Sequence, residues 1–461
     1  MTTSDSTLTV VNPATERPVA DVVRQGTEEA DAIVRRAAAA FPVWRAISPS
    51  DRARLLRRFA AEVEVHAEEL ALLETRNVGK PITDSRGELS MVADVLHFYA
   101  GAVDKHRGST IPVSGGVDLT LHEPLGVVLA IVPWNFPLAI TSWKVGPALA
   151  CGNTVVVKPA QLTPLTAVRF AELALDAGIP EGVLQVVVGP GSSVGSFLVE
   201  HPDVTKVAFT GSTEAGRDVM ARAAGTIKRV TLELGGKSAN VVFADADLER
   251  AAASAPSAVF GNAGQDCCAR SRILVERSAF DRFVELFIAA TDGIVIGDPE
   301  DPATEMGPLV SEGHRSDVAS FLEPSAEALS VAYRGAEHPG PGWWFAPAVV
   351  APAVPGSRLW RDEVFGPVVA VTPFDDEEHA AALANDTPYG LSGSVWTRDG
   401  ARALRMARSV NAGVLSVNSN TSVRVNTPFG GMKQSGFGRE LGLEALDAYS
   451  DIKNIFLSTE A

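Results

Sequence analysis

Apolar residues divide the chain into a helical first part and a later part in which short apolar runs alternate with amphipathic stretches. In the first hundred residues, Leu55, Phe59 and Val63 recur at four-residue spacing after the segment Ser48–Asp51. That segment offers a serine cap, a proline in the first turn and an acid, a combination typical of a helix start. We therefore expect mainly helices here, with an apolar stripe packed against a sheet.

From about Leu125 the apolar runs become short and rich in valine. The predicted strands are Val127–Val132, Thr154–Lys158, Leu184–Val188, Lys206–Phe209 and Arg229–Leu234. The predicted helices between them are Leu138–Ala150, Leu165–Asp176 and Glu214–Ala224. Continuous apolar strands alternating with helices indicate a parallel sheet covered on both faces. Such sheets bind nucleotides at the carboxyl ends of their strands.

A second alternating region follows Leu234. Its predicted strands are Ile273–Val275, Val368–Val371, Gly393–Thr397 and Gly413–Val417. The Pro/Gly-rich stretch Glu337–Pro347 is expected to form a surface loop. The pattern therefore predicts an α/β fold with two closely joined domains.

Charge and composition narrow the class of protein. The 461 residues carry a net charge of −16, which argues against a nucleic-acid binder or a binder of anionic membranes. The most apolar stretch, Leu125–Trp143, is interrupted by Pro133, Asn135 and Pro137 and does not suit a membrane span. The first residues lack the pattern of a signal peptide. A cytoplasmic enzyme is expected.

Cysteine usage supports a reducing compartment. The chain has three cysteines, Cys151, Cys267 and Cys268, and an odd number with two adjacent does not suit a disulfide scaffold. No CxxC or histidine cluster accompanies the pair, so no metal site is expected.

The segment Phe260–Arg272 places the adjacent cysteines after a Gly/Asn/Gln turn and before an apolar strand. A thiol there is a candidate nucleophile, because cysteine is easily activated near neutral pH. A buried structural cysteine is the alternative.

In Thr231–Asn240, Glu233 lies inside an apolar strand that ends in two glycines. Such surroundings disfavour the carboxylate and suit a general base, whereas an ion-paired structural glutamate is the alternative.

Two loops after predicted strands carry further polar candidates. In Pro133–Pro137, two prolines stiffen the chain, so the Asn135 amide could donate to a developing oxyanion, or could serve only as a turn residue. In Phe209–Gly216 the backbone at a helix start could face a pyrophosphate, with Ser212 adding a hydroxyl. A glycine turn of this kind is weak evidence by itself.

Taken together, these four segments resemble the aldehyde dehydrogenase superfamily. The similarity runs from Val11–Thr15 to Pro428–Glu440, with landmarks at Val156–Ala160, Glu363–Pro367 and Tyr389–Leu391. It implies two Rossmann-like α/β domains and a small β oligomerisation arm. The expected divisions are residues 1–105 and 125–235 for cofactor binding, 236–434 for catalysis, and 106–124 with 435–461 for the arm and C-terminal tail.

The resemblance also implies roles for individual residues. Cys267 is the expected nucleophile, Glu233 the general base, and Asn135 with the Cys267 backbone N–H the oxyanion hole. Lys144 and Glu440 fall where the family can place a proton-relay pair. Cys267 would attack the aldehyde carbon, oxidation with the nicotinamide cofactor would leave a thioester, and Glu233 would activate the water that releases the acid.

The cofactor expected from the resemblance is NAD, with NADP left open. The matching positions are Val132, Trp134, Lys158, Gln161, Gly191, Gly211, Ser212, Gly216, Leu234, Glu363 and Phe365. NAD-preferring members usually have glutamate where this chain has Gln161, and an amide does not repel a 2′-phosphate as a carboxylate does.

The aldehyde tunnel is expected to include Phe136, Ile140, Trp143, Asp266, Arg424 and Phe429. The aromatic residues suit an apolar aldehyde, whereas Arg424 could meet a distal carboxylate and Asp266 an amino group. The choice of substrate stays open. The resemblance further implies a homodimer or homotetramer.

Two rival functions share the fold. A CoA-acylating dehydrogenase would pass the acyl group to CoA, but Glu233 supplies the base that hydrolysis needs. A catalytically idle structural protein would have no need of Cys267, Glu233 and Asn135 together.

Overall fold

The computed structural model describes residues 7–323, 329–421 and 423–460. The strands are β1 (Thr7–Val11), β2 (Pro18–Val23), β3 (Thr110–Ile111), β4 (Gly116–Pro124), β5 (Val127–Ile131), β6 (Thr154–Lys158), β7 (Leu184–Val186), β8 (Val204–Thr210), β9 (Arg229–Glu233), β10 (Ala239–Val242), β11 (Arg272–Glu276), β12 (Val331–Arg334), β13 (Ala348–Val350), β14 (Val368–Phe374), β15 (Ser392–Trp396), β16 (Val414–Val417), β17 (Gly436–Phe437) and β18 (Ser450–Ser458).

The α-helices are α1 (Thr27–Ala46), α2 (Pro49–Val65), α3 (Ala67–Val78), α4 (Ile82–Ala102), α5 (Pro137–Cys151), α6 (Leu165–Asp176), α7 (Ser196–Glu200), α8 (Thr213–Ala223), α9 (Leu248–Phe260), α10 (Phe280–Asp292), α11 (Glu312–Ala319), α12 (Arg358–Arg361), α13 (Glu377–Asn385) and α14 (Gly400–Ser409). Short 3₁₀ or π turns occupy Gly191–Gly195, Ala224–Thr226, Gly261–Gly264, Arg277–Ala279, Lys433–Ser435 and Glu444–Tyr449.

The first sheet has six strands in the order β17-β9-β8-β5-β6-β7. All neighbouring pairs are parallel except β17 with β9. The five predicted strands of this region are confirmed, with ends shifted by up to two residues. Because the strands run the same way, β5, β6, β8 and β9 end along one edge of the sheet, and their terminal residues are Ile131, Lys158, Thr210 and Glu233.

The second sheet has seven strands in the order β12-β13-β14-β11-β10-β15-β16, parallel except for β12 with β13. Its four predicted strands are confirmed, while β10, β12 and β13 add to the prediction. The Glu337–Pro347 loop is exposed only in its first half. The prediction of a surface loop is wrong for 344–347, which are buried where the backbone N–H of Trp343 donates to the Pro13 carbonyl.

Helix α1 packs on β5, β6 and β7 of the first sheet, whereas α2, which carries the apolar stripe, packs on α4, α5 and α6. The stripe therefore meets the layer of helices over the sheet, and the expectation that it packs against the sheet itself is wrong. Ser48 caps α2 by accepting a 3.2 Å hydrogen bond from the Asp51 backbone N–H. Phe59 and Val63 are fully buried, and Leu55 is half-buried. The hairpin of β1 and β2 precedes these helices. Helix α5 is buried along nearly its whole length, so its polar side chains face protein.

A third sheet, in the order β18-β4-β3, joins the C-terminal strand to residues 116–124. Strands β4 and β18 pair antiparallel from Gly116 with Ser458 to Pro124 with Ser450. Several apolar side chains of this pair are exposed, namely Val117, Leu121, Ile452, Phe456 and Leu457. Within the described ranges, no helix has the length and hydrophobicity needed to cross a bilayer.

Candidate active site

A cavity of about 230 Å³ lies at the edge where the strands of the first sheet end. We call it the strand-edge cavity. It brings together residues from five separate segments of the chain, among them Cys267, Glu233 and Asn135. Its lining includes Trp134, Asn135, Phe136, Ile140, Thr210, Gly211, Ser212, Glu233, Leu234, Gly235, Cys267, Glu363 and Phe365.

The loop that carries Cys267 is held by left-handed backbone and by side-chain hydrogen bonds. Asn262 and Ala263 have φ angles of 49° and 54°, values that non-glycine residues rarely adopt. The Gln265 side chain donates to the Asn262 carbonyl at 2.9 Å and accepts from the Val310 N–H at 2.9 Å. A Cβ on Gly264 would lie 2.3 Å from the Gly366 carbonyl oxygen. The loop therefore has little freedom, and the thiol is presented at a fixed place.

Cys267 is half-buried and contacts the side chains on both sides of it in the sequence. Its hydrogen bond with Cys268, followed by burial, raises the pKa of the Cys267 thiol well above its ordinary value. The resting side chain is therefore a thiol, and its proton must leave before sulfur can attack. Cys268 is buried at the same loop.

Asn135 is fixed against the nucleophile loop. Its Nδ2 donates a 2.9 Å hydrogen bond to the Gln265 carbonyl, and its own carbonyl accepts one of 3.1 Å from Asn262 Nδ2. An amide nitrogen has two N–H bonds, so one remains to stabilise negative charge on an oxygen near Cys267. This geometry suits the oxyanion role predicted for Asn135.

Glu233 ends β9 and is 4% exposed. Neither of its carboxylate oxygens has a hydrogen-bond partner among the described residues. Burial, then the negative charge of Glu440, raises its pKa well above the ordinary 4.5, while Lys144 opposes the shift. Space for the carboxylate comes from Gly430, where a Cβ would lie 2.7 Å from Glu233 Oε1. A carboxyl group poised in this way suits proton transfer near neutral pH.

Lys144 and Glu440 form a buried ion pair behind Glu233. The Lys144 ammonium on α5 donates a hydrogen bond to Glu440 Oε1, and both side chains are at most 2% exposed. The second oxygen, Glu440 Oε2, has no hydrogen-bond partner among the described residues. The structure thus brings the predicted pair together next to the predicted base.

Residues predicted to hold a cofactor lie along and beyond the same edge. Lys158 is buried, which lowers the pKa of its ammonium to about 8, and its Nζ donates to the Pro159 carbonyl at 3.2 Å. Ser212 caps α8, and a Cβ on Gly216 would lie 2.5 Å from Leu234 Cδ2. Outside the cavity lining, Val132 and Gly216 are buried, Gln161 is half-buried, and Gly191 is exposed at the start of a π turn.

Glu363 lies on the backbone of the glycine pair that follows β9. Its Oε1 accepts a 2.9 Å hydrogen bond from the Gly236 N–H, and a Cβ on Gly235 would lie 2.2 Å from its Oε2. Burial raises the pKa of Glu363 to about 7. The glycines therefore make room for a carboxyl group that faces the strand-edge cavity.

These features fit a nicotinamide dinucleotide. The buried Thr210 hydroxyl lines the cavity without a hydrogen-bond partner among the described residues. The first turn of α8 supplies backbone N–H groups suited to a pyrophosphate. Trp134 and Phe365 pack edge to face, with ring centroids 5.2 Å apart, and form an apolar wall of the cavity.

A second cavity, of about 380 Å³, meets the strand-edge cavity at Cys267, Phe136 and Ile140. We call it the helical cavity, because α4, α5 and α9 form much of it. Its lining includes Glu88, Met91, Phe136, Ile140, Trp143, Asp266, Cys267, Cys268, Arg270, Asn420 and Phe429. Five of the six residues predicted for the aldehyde tunnel are among them.

Arg424 is the sixth predicted tunnel residue, and it does not line the helical cavity. Its side chain is exposed, where the guanidinium group keeps its hydration. The expectation that Arg424 lies in the tunnel is therefore not met in this structure.

Sequence reasoning missed several residues of the site. Glu88 reaches the helical cavity from α4, and the Asn262 side chain fixes both Asn135 and the nucleophile loop. His314 packs on Trp134 at 5.1 Å between ring centroids, and its Nε2 bonds the Phe365 carbonyl at 2.7 Å. Only the Gly-Asn-Ala-Gly run of the nucleophile loop gave a local signal, because glycine and asparagine favour left-handed backbone.

Comparison with known proteins agrees with this geometry. The sequence model of the aldehyde dehydrogenase family matches residues 1–455. The chain is 42% identical to the NADP/NAD-dependent aldehyde dehydrogenase PuuC of Escherichia coli (strain K12), over 99% of this chain and 93% of that protein. It is also 42% identical to a phenylacetaldehyde dehydrogenase of Pseudomonas fluorescens, with the same coverage.

Comparison with solved structures supports the same family. The crystal structure of PnpE in complex with nicotinamide adenine dinucleotide aligns with a TM-score of 0.97 and 42% identity, covering 100% of this chain and 96% of that one. The chain belongs to the aldehyde dehydrogenase family.

Proposed function

We propose that this aldehyde dehydrogenase oxidises an uncharged, largely apolar aldehyde to its carboxylic acid, with NAD as the main acceptor and Cys267 as the nucleophile. The observation that carries the proposal is the meeting of Cys267, Asn135 and Glu233 in one cavity, with Asn135 locked onto the nucleophile loop at 2.9 Å.

Cys267, Asn135 and Glu233 have separate roles in the proposed reaction. The Cys267 thiol releases its proton to solvent, its Sγ bonds to the aldehyde carbon, and the remaining Asn135 N–H and the Cys267 backbone N–H stabilise the oxyanion. When bound, the nicotinamide ring supplies the acceptor for the two electrons and one proton that leave the carbon. Glu233 then takes a proton from water as that water attacks the thioester. The thiol of Cys267 is regenerated as the acid leaves.

Residues along the sheet edge would hold the cofactor. Lys158 and Gln161 suit the adenosine ribose, Ser212 and the start of α8 the pyrophosphate, and Glu363 the nicotinamide ribose. Gln161 presents no negative charge to a 2′-phosphate, so NADP is a secondary acceptor. The name of the Escherichia coli relative, which includes both cofactors, supports this second part.

The substrate class follows from the helical cavity. Phe136, Trp143 and Phe429 give it an aromatic wall, with the last two rings in edge contact at 5.2 Å. Its charged residues are satisfied by protein partners. Glu88 accepts from Lys80 Nζ at 2.8 and 2.7 Å, Asp266 accepts from the Cys268 N–H at 2.8 Å, and Arg270 donates to Ser394 Oγ at 2.7 Å. A charged substrate would have to break one of these interactions.

The exposed apolar side chains on β4 and β18 suit burial against a second copy of the chain. An apolar face of this kind on a paired strand is typical of subunit contacts. We expect a homodimer or homotetramer, which light scattering after size exclusion would measure. The absence of disulfide bonds among the three cysteines suits the reducing cytoplasm.

The test is an absorbance assay of cofactor reduction with aromatic, aliphatic, amino- and carboxy-aldehydes, each with NAD and with NADP. The proposal expects the highest kcat/KM for uncharged aromatic or medium-chain aldehydes with NAD. A preference for amino- or carboxy-aldehydes would overturn the substrate class. Inactivity of the folded protein across the panel would overturn the function.

A further inference from the structure

The two adjacent cysteines and the carboxylate before them form a cluster that aldehyde oxidation does not account for. One ligand atom each from Asp266, Cys267 and Cys268 lie within 4.8 Å of one another. The Cys267 thiol lies next to the side chains of both neighbours. Sequence spacing argues against a zinc site here, since CxxC and histidine clusters are absent, but the folded loop adds a carboxylate to the two thiols.

The cluster has the chemistry of a soft-metal site. Two thiolates and a carboxylate are ligands that Zn²⁺ takes at about 2.0 to 2.3 Å, with a fourth position left to water. All three residues line the helical cavity of about 380 Å³, so an ion has a path to them.

The local charge also suits a divalent cation. Two thiolates and a carboxylate carry three negative charges, which a divalent ion reduces to one. The Arg270 guanidinium, whose Nη1 donates to the Cys268 carbonyl at 2.5 Å, offsets that remaining charge. Arg270 is fully buried, so its charge acts in a region of low polarity.

We propose that Asp266, Cys267 and Cys268 form a binding site for one thiophilic divalent cation, of the class of Zn²⁺ and Cd²⁺, whose occupation stops turnover. Binding forms two metal–sulfur bonds and one metal–oxygen bond and releases the two thiol protons to solvent. The Cys267 lone pair that would attack an aldehyde is then engaged by the metal. Inhibition rests on the proposed function, whereas binding does not.

Titration of the full chain with CdCl₂, followed by the ultraviolet thiolate-to-cadmium absorption, tests the binding. Wild-type protein is expected to bind one ion with the absorbance of two thiolates and with release of about two protons. In Cys268→Ser the absorbance per ion should halve and the Kd should rise at least about tenfold. Asp266→Asn should keep the two-thiolate absorbance and weaken binding. Cys151→Ser, which changes a remote cysteine, should match the wild type.

The same titration identifies failure. The proposal would be overturned if the ion bound by the wild-type protein gave the absorbance of only one thiolate and released only one proton. Equal Kd values for the wild type and Cys268→Ser would overturn it as well. The wild-type proton count decides the matter even if Cys268→Ser does not fold. Inhibition by CdCl₂ is measured in each variant relative to its own uninhibited rate, and Cys268→Ser should need at least about tenfold more metal. These binding readouts remain informative if no aldehyde is oxidised, so the two proposals fail separately.

Discussion

Asn135 and Gln265 stand 130 residues apart in the chain and meet through a 2.9 Å hydrogen bond from Asn135 Nδ2 to the Gln265 carbonyl. This bond ties the loop after β5 of the first sheet to the loop before β11 of the second. It occupies one of the two N–H groups of the Asn135 side-chain amide, and the other is left for a ligand in the cavity that Asn135 and Cys267 both line. The proposed oxyanion site is therefore built across the two sheets rather than within one of them.

Asn135→Ala removes the side-chain donor of that site. We expect kcat to fall about 10²- to 10³-fold, the usual cost of losing one oxyanion donor, with little change in cofactor Kd. Steady-state kinetics and cofactor titration by fluorescence would measure both. A variant that keeps wild-type kcat would remove Asn135 from the oxyanion role.

Lys144 and Glu440 should move the pH dependence of hydrolysis in opposite directions. Glu233 works as a carboxylate, so its raised pKa places the acidic limb of the rate profile above the ordinary value of 4.5. Lys144 lowers the pKa of Glu233, and Lys144→Met should shift the limb to higher pH. Glu440 raises that pKa, and Glu440→Gln should shift the limb to lower pH. Shifts in the same direction would contradict the arrangement.

The same pair makes a prediction about stability. Removing one partner leaves a buried charge unpaired, so Lys144→Met or Glu440→Gln alone should lower the free energy of unfolding by about 3–5 kcal/mol. The double variant should lose less than the two single losses added together. Urea unfolding of the wild type, the two single variants and the double variant measures this coupling. Strict additivity would show that the ion pair contributes no coupling energy.

Gln161→Glu tests the basis of cofactor choice. A carboxylate at this position repels a 2′-phosphate and still accepts hydrogen bonds from ribose hydroxyls. We expect kcat/KM for NADP to fall at least about tenfold, since one repelled charge costs more than about 1.4 kcal/mol at short range, while NAD is affected little. An equal loss with both cofactors would place Gln161 away from the ribose.

Much of the fold could be predicted from the sequence because its strands are strongly patterned. Val127–Ile131 and Thr154–Lys158 are continuous apolar runs, and only a sheet covered on both faces buries such runs completely. Strand β10 was missed because it has four residues and begins only two residues, Lys237 and Ser238, after the glycine pair. Strands β12 and β13 were missed because the sequence around them reads as loop.

The candidate site, like the fold, could be predicted only in part from the sequence. Cys267, Glu233 and Asn135 lie in motifs beside predicted strands, so their meeting could be anticipated from a parallel sheet and the family resemblance. Glu88 could not, because nothing local separates it from the exposed acids of α4, and its place in the cavity depends on how α4 packs on α5. Arg424 is the opposite case. It was predicted because its loop matches the family's aldehyde tunnel, but the position of the loop did not determine the direction of its side chain, which is exposed.

The most direct test of the central claim is to trap the acyl enzyme on Cys267. Glu233→Gln, mixed with NAD and an aromatic aldehyde, should give a burst of reduced cofactor close to one per active site and then slow turnover. Mass spectrometry of the quenched protein should find the acyl group as a thioester on Cys267. An acyl group on Cys268, or turnover at the wild-type rate without any acyl enzyme, would contradict the account.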